Sequence, residues 1–290
     1  MRSLLFVPGN SRKLLDHASK TSADIVLPDI EDSVSSDESK ESARRLVAEY
    51  VEDRRFLGKP IFPRINSRDS GHLLKDLSCL TLDGVSGFVY PKSSSAEDIF
   101  FFDRLLETFE WEKKIQVGHF KIIPLIETPG AVVRVDEICK ASDRVIAIAF
   151  GCEDFIAELE GQRDPEDQSI FVPRALIAMA ARANGIVPID TVHVKVHEFE
   201  DLKRSLSLAK KLGFEGMLAL NPKEISYIHE VFTPSKSELE AAREMIRLSE
   251  AIGEKGMGVA LQDQQFVGPP FVRGARRILS RASKYLDGDA

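Results

Sequence analysis

The sequence of 290 residues predicts a (β/α)₈ barrel with a C-terminal helical extension. Eight short apolar runs recur along the chain, and amphipathic segments lie in the gaps between them. Most runs are apolar on consecutive residues, which is typical of parallel strands that are covered on both faces. Strands that alternate with helices form right-handed βαβ units. Eight such units fit a barrel, whose usual size is about 250 residues.

The predicted strands can be read in chain order. They are residues 3–7 (SLLFV), 24–30 (DIVLPDI), 60–65 (PIFPRI), 85–91 (VSGFVYP), 121–127 (KIIPLIE), 144–151 (RVIAIAFG), 190–196 (DTVHVKV) and 216–222 (GMLALNP). Helical patterns between them include SRKLLDHASKT, SAEDIFFFDRLLETFE, RALIAMAARANG and FEDLKRSLSLAKKLG. A doubly wound open sheet is the alternative, but it usually has a glycine-rich phosphate turn after the first strand. The segment FVPGNSRK contains no G-x-G-x-x-G, so the barrel is favoured.

The residues after the eighth strand have a different pattern. SKSELEAAREMIRLSEAIGEKG predicts a helix with Ser at its start and Gly at its end. MGVALQDQQFVGPP predicts an extended loop, and FVRGARRILSRASKYL predicts a basic helix that closes the chain. We therefore expect a barrel over residues 1–232 and a helix–loop–helix extension over residues 233–290.

Composition excludes several classes of protein. The net charge of −7 argues against a general nucleic-acid binder, which normally carries a basic stripe. Cys79, Cys139 and Cys152 lie far apart, which fits a reducing compartment and gives no zinc-ligand spacing. The opening MRSLLFVPGN has too short an apolar run for a signal peptide, and a membrane span needs about 20 apolar residues. We expect a cytoplasmic protein that binds neither nucleic acid nor membrane.

Charged residues cluster where the predicted strands end. In a barrel, catalytic groups lie at the carboxyl ends of the strands. The charged and polar residues at these ends are Asp29, Glu31, Asp32, Arg64, Asn66, Glu127, Glu153 and Asp154. Any one of them is equally well explained as a solvated loop charge, but their occurrence on one predicted rim indicates a site.

Glu127 and Asp154 form the pair with the clearest chemistry. Carboxylates from neighbouring strands, without a His or Cys nearby in sequence, suit a hard cation such as Mg²⁺. Arg64 offers a planar fork that binds a carboxylate through two hydrogen bonds. Together these groups predict a substrate with a carboxylate beside a second oxygen.

Other candidate residues have weaker signals. The segment HVKVH, residues 193–197, places His193 and His197 on one face of a strand, but a site of two histidines lacks a third ligand, so structural roles are favoured. Cys152 is best explained as a small apolar filler. No G-x-S-x-G, P-loop or H-E-x-x-H motif occurs.

Several segments together resemble a known family. RSLLFVPGNSRKLLDHA, LPDIEDSV, PRIN, YPKSSSAEDI, IPLIETPGAV, AFGCEDF and VFTPSKSELEAAR follow in this order. The chain thereby resembles the HpcH/HpaI aldolase and citrate lyase β-subunit family over nearly its whole length. The resemblance implies a (β/α)₈ barrel that is usually a homotrimer or a dimer of trimers. It also implies Mg²⁺ or Mn²⁺, and the cleavage or formation of carbon–carbon bonds in 3-hydroxyacyl thioesters.

The resemblance assigns roles to individual residues. Glu127 and Asp154 would bind the metal, with Glu127 also near the substrate, and Arg64 would bind the 2-oxo acid product. Asp263 would be a catalytic acid or base on a loop that reaches into a neighbouring subunit's site. The chain departs from the family pattern at Gln264, where Gly usually follows the Asp, and at Asn221, where His is usual.

The expected substrate follows from these roles. We expect a lyase for a coenzyme A (CoA) thioester of the malyl-CoA or citramalyl-CoA type, which gives a 2-oxo acid and an acyl-CoA. Arg12, Lys13 and Lys40 are candidate contacts to the CoA phosphates. The alternatives are a citrate lyase β subunit that acts on a carrier-bound thioester, a malyl-CoA thioesterase, and a non-catalytic barrel that serves as a binding partner.

Overall fold

The computed structural model describes residues 1–164, 166–253, 259–262 and 265–286. The chain forms two compact units, Met1–His229 and Glu230–Ala290. The first unit contains alternating strands and helices, and the second contains two long helices and a small hairpin.

Seven parallel strands form the sheet of the first unit. They are β1 Ser3–Pro8, β2 Ile25–Asp29, β3 Gly87–Tyr90, β4 Lys121–Ile126, β5 Ala147–Phe150, β6 Val187–Asp190 and β7 Gly216–Ala219. Their order in the sheet is β2-β1-β7-β6-β5-β4-β3. Nearly every strand residue is buried, which is why these segments appear in the sequence as unbroken apolar runs.

Residues 60–65 close the sheet into a barrel. Arg64 N–H donates to the Pro28 carbonyl of β2 at 2.9 Å, and Val89 N–H of β3 donates to the Pro63 carbonyl at 3.0 Å. The segment therefore lies between β2 and β3, where the predicted third strand belongs. Because Pro60 and Pro63 have no N–H, the pairing is reduced to isolated bridges. The predicted barrel fold is confirmed.

The helices pack around this sheet. They are α1 Arg12–Ser19, α2 Asp37–Glu52, α3 Leu73–Leu80, α4 Ala96–Lys113, α5 Pro129–Val133, α6 Val135–Lys140, α7 Cys152–Glu158, α8 Gln168–Ala183, α9 Phe199–Leu212 and α10 Glu224–Phe232. Leu4, Leu27, Ile123, Ile189 and Leu218, each from a different strand, belong to one buried cluster. The barrel interior is thus a packed core, and an open site is left to the strand ends.

Strand β6, which corresponds to the predicted seventh strand 190–196, lies earlier in the chain than predicted. It covers Val187–Asp190, whereas residues 191–198 form a loop. Strand pairing ends at Asp190, whose buried carboxylate is bound by Arg174 of α8. The prediction that His193 and His197 share one face of a strand is therefore wrong, since His193 is buried in the loop and His197 is exposed.

The second unit has its own small core. It contains α11 Lys236–Gly253, the antiparallel strands β8 Ala260–Gln262 and β9 Gln265–Val267, and α12 Pro269–Leu286. Ser235 and Glu238 exchange hydrogen bonds at the start of α11, which forms a capping box. Met245, Leu248, Val267 and Val272 belong to the buried cluster. The region predicted as an extended loop thus contains a hairpin. Among the helices of the described residues, none has the length and apolar character of a membrane span.

Candidate active site

A pocket of about 350 Å³ opens at the carboxyl ends of the barrel strands. Its polar lining includes Asp29, Arg64, Glu127, Glu153 and Asp154, and its apolar lining includes Phe6, Leu125, Phe150 and Leu218. A larger depression of about 550 Å³ lies at the opposite end, beside the start of residues 60–65. We place the site in the smaller pocket, because that is where the strand-end acids and Arg64 converge.

Glu127 directly follows β4 and is almost completely buried, with 2% of its surface exposed. Its Oε2 accepts a hydrogen bond of 2.6 Å from the backbone N–H of Lys92, at the end of the neighbouring strand β3. Burial and the negative charge of Glu31 raise the pKa of Glu127 to about 8. A divalent cation bound at this carboxylate would stabilise its charged form and lower this pKa.

Gly151 leaves the room that the Glu127 side chain occupies. A β-carbon on residue 151 would lie 2.4 Å from Glu127 Cγ and 2.9 Å from Oε1. The Gly151 N–H donates to the Ile126 carbonyl at 2.8 Å, so the backbone cannot easily move away. Glu127 is thus held between the Lys92 N–H and the Gly151 backbone.

Asp154 supplies a second carboxylate to the pocket. It lies in the first turn of α7, is exposed, and lines the same pocket as Glu127. In the described part of the chain, no group of three or more His, Cys, Asp or Glu side chains is arranged to hold a metal ion. A pair of carboxylates nevertheless fits Mg²⁺, which is commonly held by one or two protein carboxylates with water and substrate as the other ligands. The Glu127 carboxylate, whose charged form is disfavoured by burial, fits the same ion.

Arg64 lies in the pocket, but much of its guanidinium is already engaged. Nε and Nη2 each donate to a carboxylate oxygen of Asp29 at 2.7 Å. Nη1 donates to Asp32 at 3.0 Å and lies 3.2 Å from Glu31. The guanidinium carbon lies 4.9 Å from the centre of the Phe6 ring. The edge of the guanidinium formed by Nε and Nη2 is therefore bound by Asp29. The sequence predicts that this edge binds a substrate carboxylate.

Glu31 is a buried acid between two cations. Its Oε2 lies 3.2 Å from Arg64 Nη1 and its Oε1 lies 3.5 Å from Lys92 Nζ. Neither oxygen has a hydrogen-bond partner within the described residues, so both contacts are ion pairs with unfavourable hydrogen-bond geometry. Burial raises the pKa of Glu31 to about 7.

Lys40 and Asn66 hold the loop after β2 in place. Lys40 Nζ donates to the carbonyls of Ile30 and Glu31 at 3.1 and 2.7 Å, and to Asn66 Oδ1 at 2.6 Å. Asn66 donates from its backbone N and its Nδ2 to Asp76 at 2.7 and 2.8 Å. The three N–H groups of Lys40 are thus used within the protein, and a CoA phosphate would have to displace one of these contacts.

The remaining predicted residues lie apart from the pocket lining. Arg12 pairs with Glu49 of α2 at 2.8 Å, and Lys13 is exposed on α1. Asn221 donates from Nδ2 to the Val196 carbonyl at 3.2 Å, which links the end of β7 to the loop after β6. Asp263 and Gln264 lie outside the described residues.

Cys152 is buried, as expected for a small filler. Burial raises the pKa of its thiol to about 12, so the group stays protonated and is a poor nucleophile.

Lys92 is the residue of this region that the sequence interpretation missed. It directly follows Pro91, which ends the fourth predicted strand. The charged residues at the other strand ends are site candidates because of the same kind of position. Its position at a strand end was the available signal.

A family model described as HpcH/HpaI aldolase/citrate lyase matches residues 2–222, which include every strand of the barrel. The chain belongs to the HpcH/HpaI aldolase/citrate lyase family. Membership identifies it as an enzyme of the carbon–carbon lyase class.

Curated relatives in this family have related names. The chain is 32% identical to the citrate lyase subunit beta of Haemophilus influenzae, over 97% of this chain and 96% of the relative. It is 28% identical to an L-malyl-CoA/beta-methylmalyl-CoA lyase of Cereibacter sphaeroides, over 97% and 94%. It is 27% identical to a (3S)-malyl-CoA thioesterase from the same species, over 97% and 94%.

A solved structure agrees with the fold over almost the full length. This is the CitE protein of Mycobacterium tuberculosis in complex with magnesium, acetoacetate and coenzyme A. It is 25% identical, covers 97% of this chain and 98% of its own, and superposes with a TM-score of 0.78.

Proposed function

We propose that this enzyme is a divalent-cation-dependent lyase for 3-hydroxyacyl thioesters that carry a carboxylate, of the malyl-CoA or citramalyl-CoA type. It cleaves the bond between C2 and C3 of the acyl chain to give a 2-oxo acid and a shorter acyl thioester. The observation that carries the proposal is the position of Glu127, a buried acid fixed by Lys92 N–H and Gly151 beside Asp154 in one pocket.

The residues of the pocket suit the charge changes of this reaction. Glu127 and Asp154 would hold the cation, which when bound polarises the substrate oxygen that becomes the ketone. In the cleavage direction the 3-hydroxyl loses its proton, the carbon–carbon bond breaks, and the thioester enolate takes up a proton at carbon. Arg64, oriented by Asp29, contributes fixed positive charge to a pocket that binds an anionic substrate.

The proposal also specifies free CoA as the thioester carrier and malyl or citramalyl as the acyl group. The structural relative was solved with coenzyme A and magnesium, which supports free CoA as the carrier. The higher identity to a citrate lyase subunit beta, 32% against 28% for the malyl-CoA lyase, supports a citryl thioester equally well. We therefore retain citrate lyase β subunit as the second candidate function.

The proposal assigns proton transfer at the enolate carbon to Asp263. This assignment is supported by the resemblance to the family alone. In this proposal, residues 233–290 of one subunit complete the site of a neighbour in a homo-oligomer. Mixing Asp263→Asn protein with Glu127→Ala protein under subunit exchange would then restore part of the activity. No recovery, with exchange verified by native mass spectrometry, would contradict a shared site.

The proposed reaction is tested by identifying products from a small panel of thioesters. Malyl-CoA, citramalyl-CoA and citryl-CoA are incubated with the protein and Mg²⁺, and both 2-oxo acid and free thiol are measured. A lyase releases 2-oxo acid without free thiol. Free thiol without 2-oxo acid would identify a thioesterase, and the absence of both would contradict the proposal.

A further inference from the structure

The outer side of α8 is apolar where a surface helix is normally polar. Its inner side packs on the barrel, and the exposed residues in its middle are also large and hydrophobic: Phe171, Val172, Leu176 and Met179. The spacing of three and four residues places Val172, Leu176 and Met179 on one side of the helix, and Val172 is 62% exposed. A helix that is hydrophobic all round is normally buried, so we expect these four residues, the α8 face, to be covered.

The helix that follows α8 shows the usual pattern. α9 packs against α8, and its exposed positions are polar: Lys203, Arg204, Ser207 and Lys211. The outer surface of the barrel is therefore a solvated one at α9, and the apolar character of the α8 face is local.

The hairpin β8–β9 has an apolar outer side as well. Val267 is buried in the core of the second unit, so the alternate residues of the hairpin lie on the opposite side. There Leu261 pairs with Phe266 across the strands, and the rings of Phe266 and Phe271 are 5.7 Å apart. Leu261 is 73% exposed, and Val259, Phe266 and Phe271 are about half exposed. An antiparallel sheet on a core normally has a polar outer side, so we expect these four residues, the hairpin face, to be covered too.

Acidic residues precede the α8 face in the chain. Glu158, Glu160 and Glu166 are exposed between the end of α7 and the start of α8. Within the described residues none of these three side chains forms an ion pair. The approach to the α8 face is thus negatively charged, which suits a basic protein surface and opposes the anionic surface of a membrane.

Basic residues follow the hairpin face. Arg273, Arg276 and Arg277 are exposed at the start of α12, directly after Phe271. In the part of the chain that the structure describes, these arginines have no acidic partner. The two apolar faces are therefore flanked by opposite charges, and such complementarity selects and orients a partner.

We infer that the α8 face of one subunit is covered by the hairpin face of a second copy of the chain, with the three arginines of α12 beside the three glutamates that precede α8. Because the two faces differ, the contact is heterologous, and it continues from copy to copy until the copies close into a ring. The inference goes beyond the proposed function, which requires a homo-oligomer but names no surfaces for it.

The test compares the assembly of three variants by sedimentation velocity over a range of concentrations. Leu176→Glu places a charge in the α8 face, and Leu261→Glu places one in the hairpin face. Phe100→Glu is the control, since Phe100 is an exposed aromatic residue on α4, outside both faces. All three side chains are exposed in the single chain, so the circular dichroism spectra are expected to match that of wild type.

The expected result depends on the contact being heterologous. Leu176→Glu and Leu261→Glu each weaken self-association at least about 30-fold, the effect of losing a central contact of an interface. Phe100→Glu assembles like wild type. A mixture of Leu176→Glu and Leu261→Glu proteins still contains one intact face of each kind, on different chains. The mixture therefore forms a heterodimer that neither variant forms alone.

The charged residues are tested by reversal. One variant combines Arg273→Glu, Arg276→Glu and Arg277→Glu, and a second combines Glu158→Lys, Glu160→Lys and Glu166→Lys. Each is expected to weaken assembly about 10-fold at low salt and less at high salt. A chain that carries both sets has its charges exchanged and regains the assembly of wild type. Failure of the combined reversal to do so would overturn the pairing of arginines with glutamates.

Three other results would overturn the inference. Wild-type protein that sediments as a monomer at every concentration would show that no second copy covers these faces. Assembly of Leu261→Glu alone at wild-type strength would exclude the hairpin face, and a mixture of the two defective variants that stays monomeric would exclude the heterologous contact. The thioester panel, run on the same wild-type sample, separates this inference from the proposed function. Assembly without release of 2-oxo acid contradicts the proposed reaction alone, whereas release of 2-oxo acid by a monomer contradicts the contact and leaves the reaction standing.

Discussion

The backbone of Gly151 lies so close to Glu127 that a β-carbon at residue 151 would stand 2.4 Å from Glu127 Cγ. The end of β5 thus determines where the acid at the end of β4 lies. This relationship explains why a glycine follows β5 beside the glutamate that follows β4.

Gly151→Ala is expected to displace the Glu127 carboxylate with little change of fold. Misplacement of a catalytic group by about 1 Å costs on the order of 100-fold in rate, and the added methyl costs about 1–3 kcal/mol of stability. We expect weaker Mn²⁺ binding and at least about 100-fold slower lyase turnover by the same principle. Gly161→Ala is the control, since its nearest neighbour would lie at 3.5 Å. Wild-type Mn²⁺ affinity in Gly151→Ala would show that Glu127 is not constrained in this way.

Asp29→Asn is expected to destabilise the barrel, because it removes the charge of the buried carboxylate that binds Arg64 Nε and Nη2. Asp29 is 3% exposed, and breaking a buried pair of this kind costs about 3 kcal/mol. Urea unfolding monitored by circular dichroism measures this loss. Glu41→Gln, which removes an exposed pair with Arg45, is the control and is expected to change stability little. Equal stability of Asp29→Asn and wild type would mean that the pair contributes nothing to the fold.

Glu224 gives the protein a pH dependence that a single substitution removes. The residue is 1% exposed, its Oε2 accepts the N–H groups of Leu220 and Asn221, and its Oε1 has no hydrogen-bond partner among the described residues. Burial raises its pKa from 4.5 to about 7. Since the folded-state pKa lies above the unfolded value, the unfolded chain loses this proton first. The free energy of unfolding therefore falls as the pH rises from about 4.5 to about 7.

Glu224→Gln is expected to remove this loss. Relative to wild type, the variant gains up to about 3 kcal/mol between pH 4.5 and pH 7, since each pKa unit corresponds to 1.36 kcal/mol. Unfolding free energies from urea titrations across this range measure the difference. Glu112→Gln, on the surface of α4, serves as the control. Parallel pH profiles for Glu224→Gln and wild type would contradict the assignment.

The barrel was predictable because parallel strands buried on both faces appear as consecutive apolar residues. Two segments depart from the regular strands that the sequence predicts, for reasons of backbone chemistry. Pro63 interrupts the ladder of residues 60–65, and Pro188 lies inside β6, where proline is unusual. The β-branched residues Thr191, Val192, Val194 and Val196 moved the predicted seventh strand, 190–196, into what is a loop.

The acids at the strand ends could also be located from sequence, but their partners could not. Asp29 and Arg64 are 35 residues apart and meet because residue 64 pairs with residue 29 across two parallel strands. That register depends on the closed barrel and leaves no local signal. The same holds for Gly151 beside Glu127 and for the Lys92 N–H, whose direction depends on a left-handed backbone.

Binding of Mn²⁺ tests the central claim most directly, namely that Glu127 and Asp154 jointly hold the cation that the lyase reaction needs. Electron paramagnetic resonance reports free Mn²⁺ during titration of wild-type protein, Glu127→Gln, Asp154→Asn and the control Glu107→Gln on α4. The account predicts one tight site in wild type and in Glu107→Gln, and its loss in both site variants while their circular dichroism spectra stay unchanged. Wild-type affinity in either Glu127→Gln or Asp154→Asn would contradict the account.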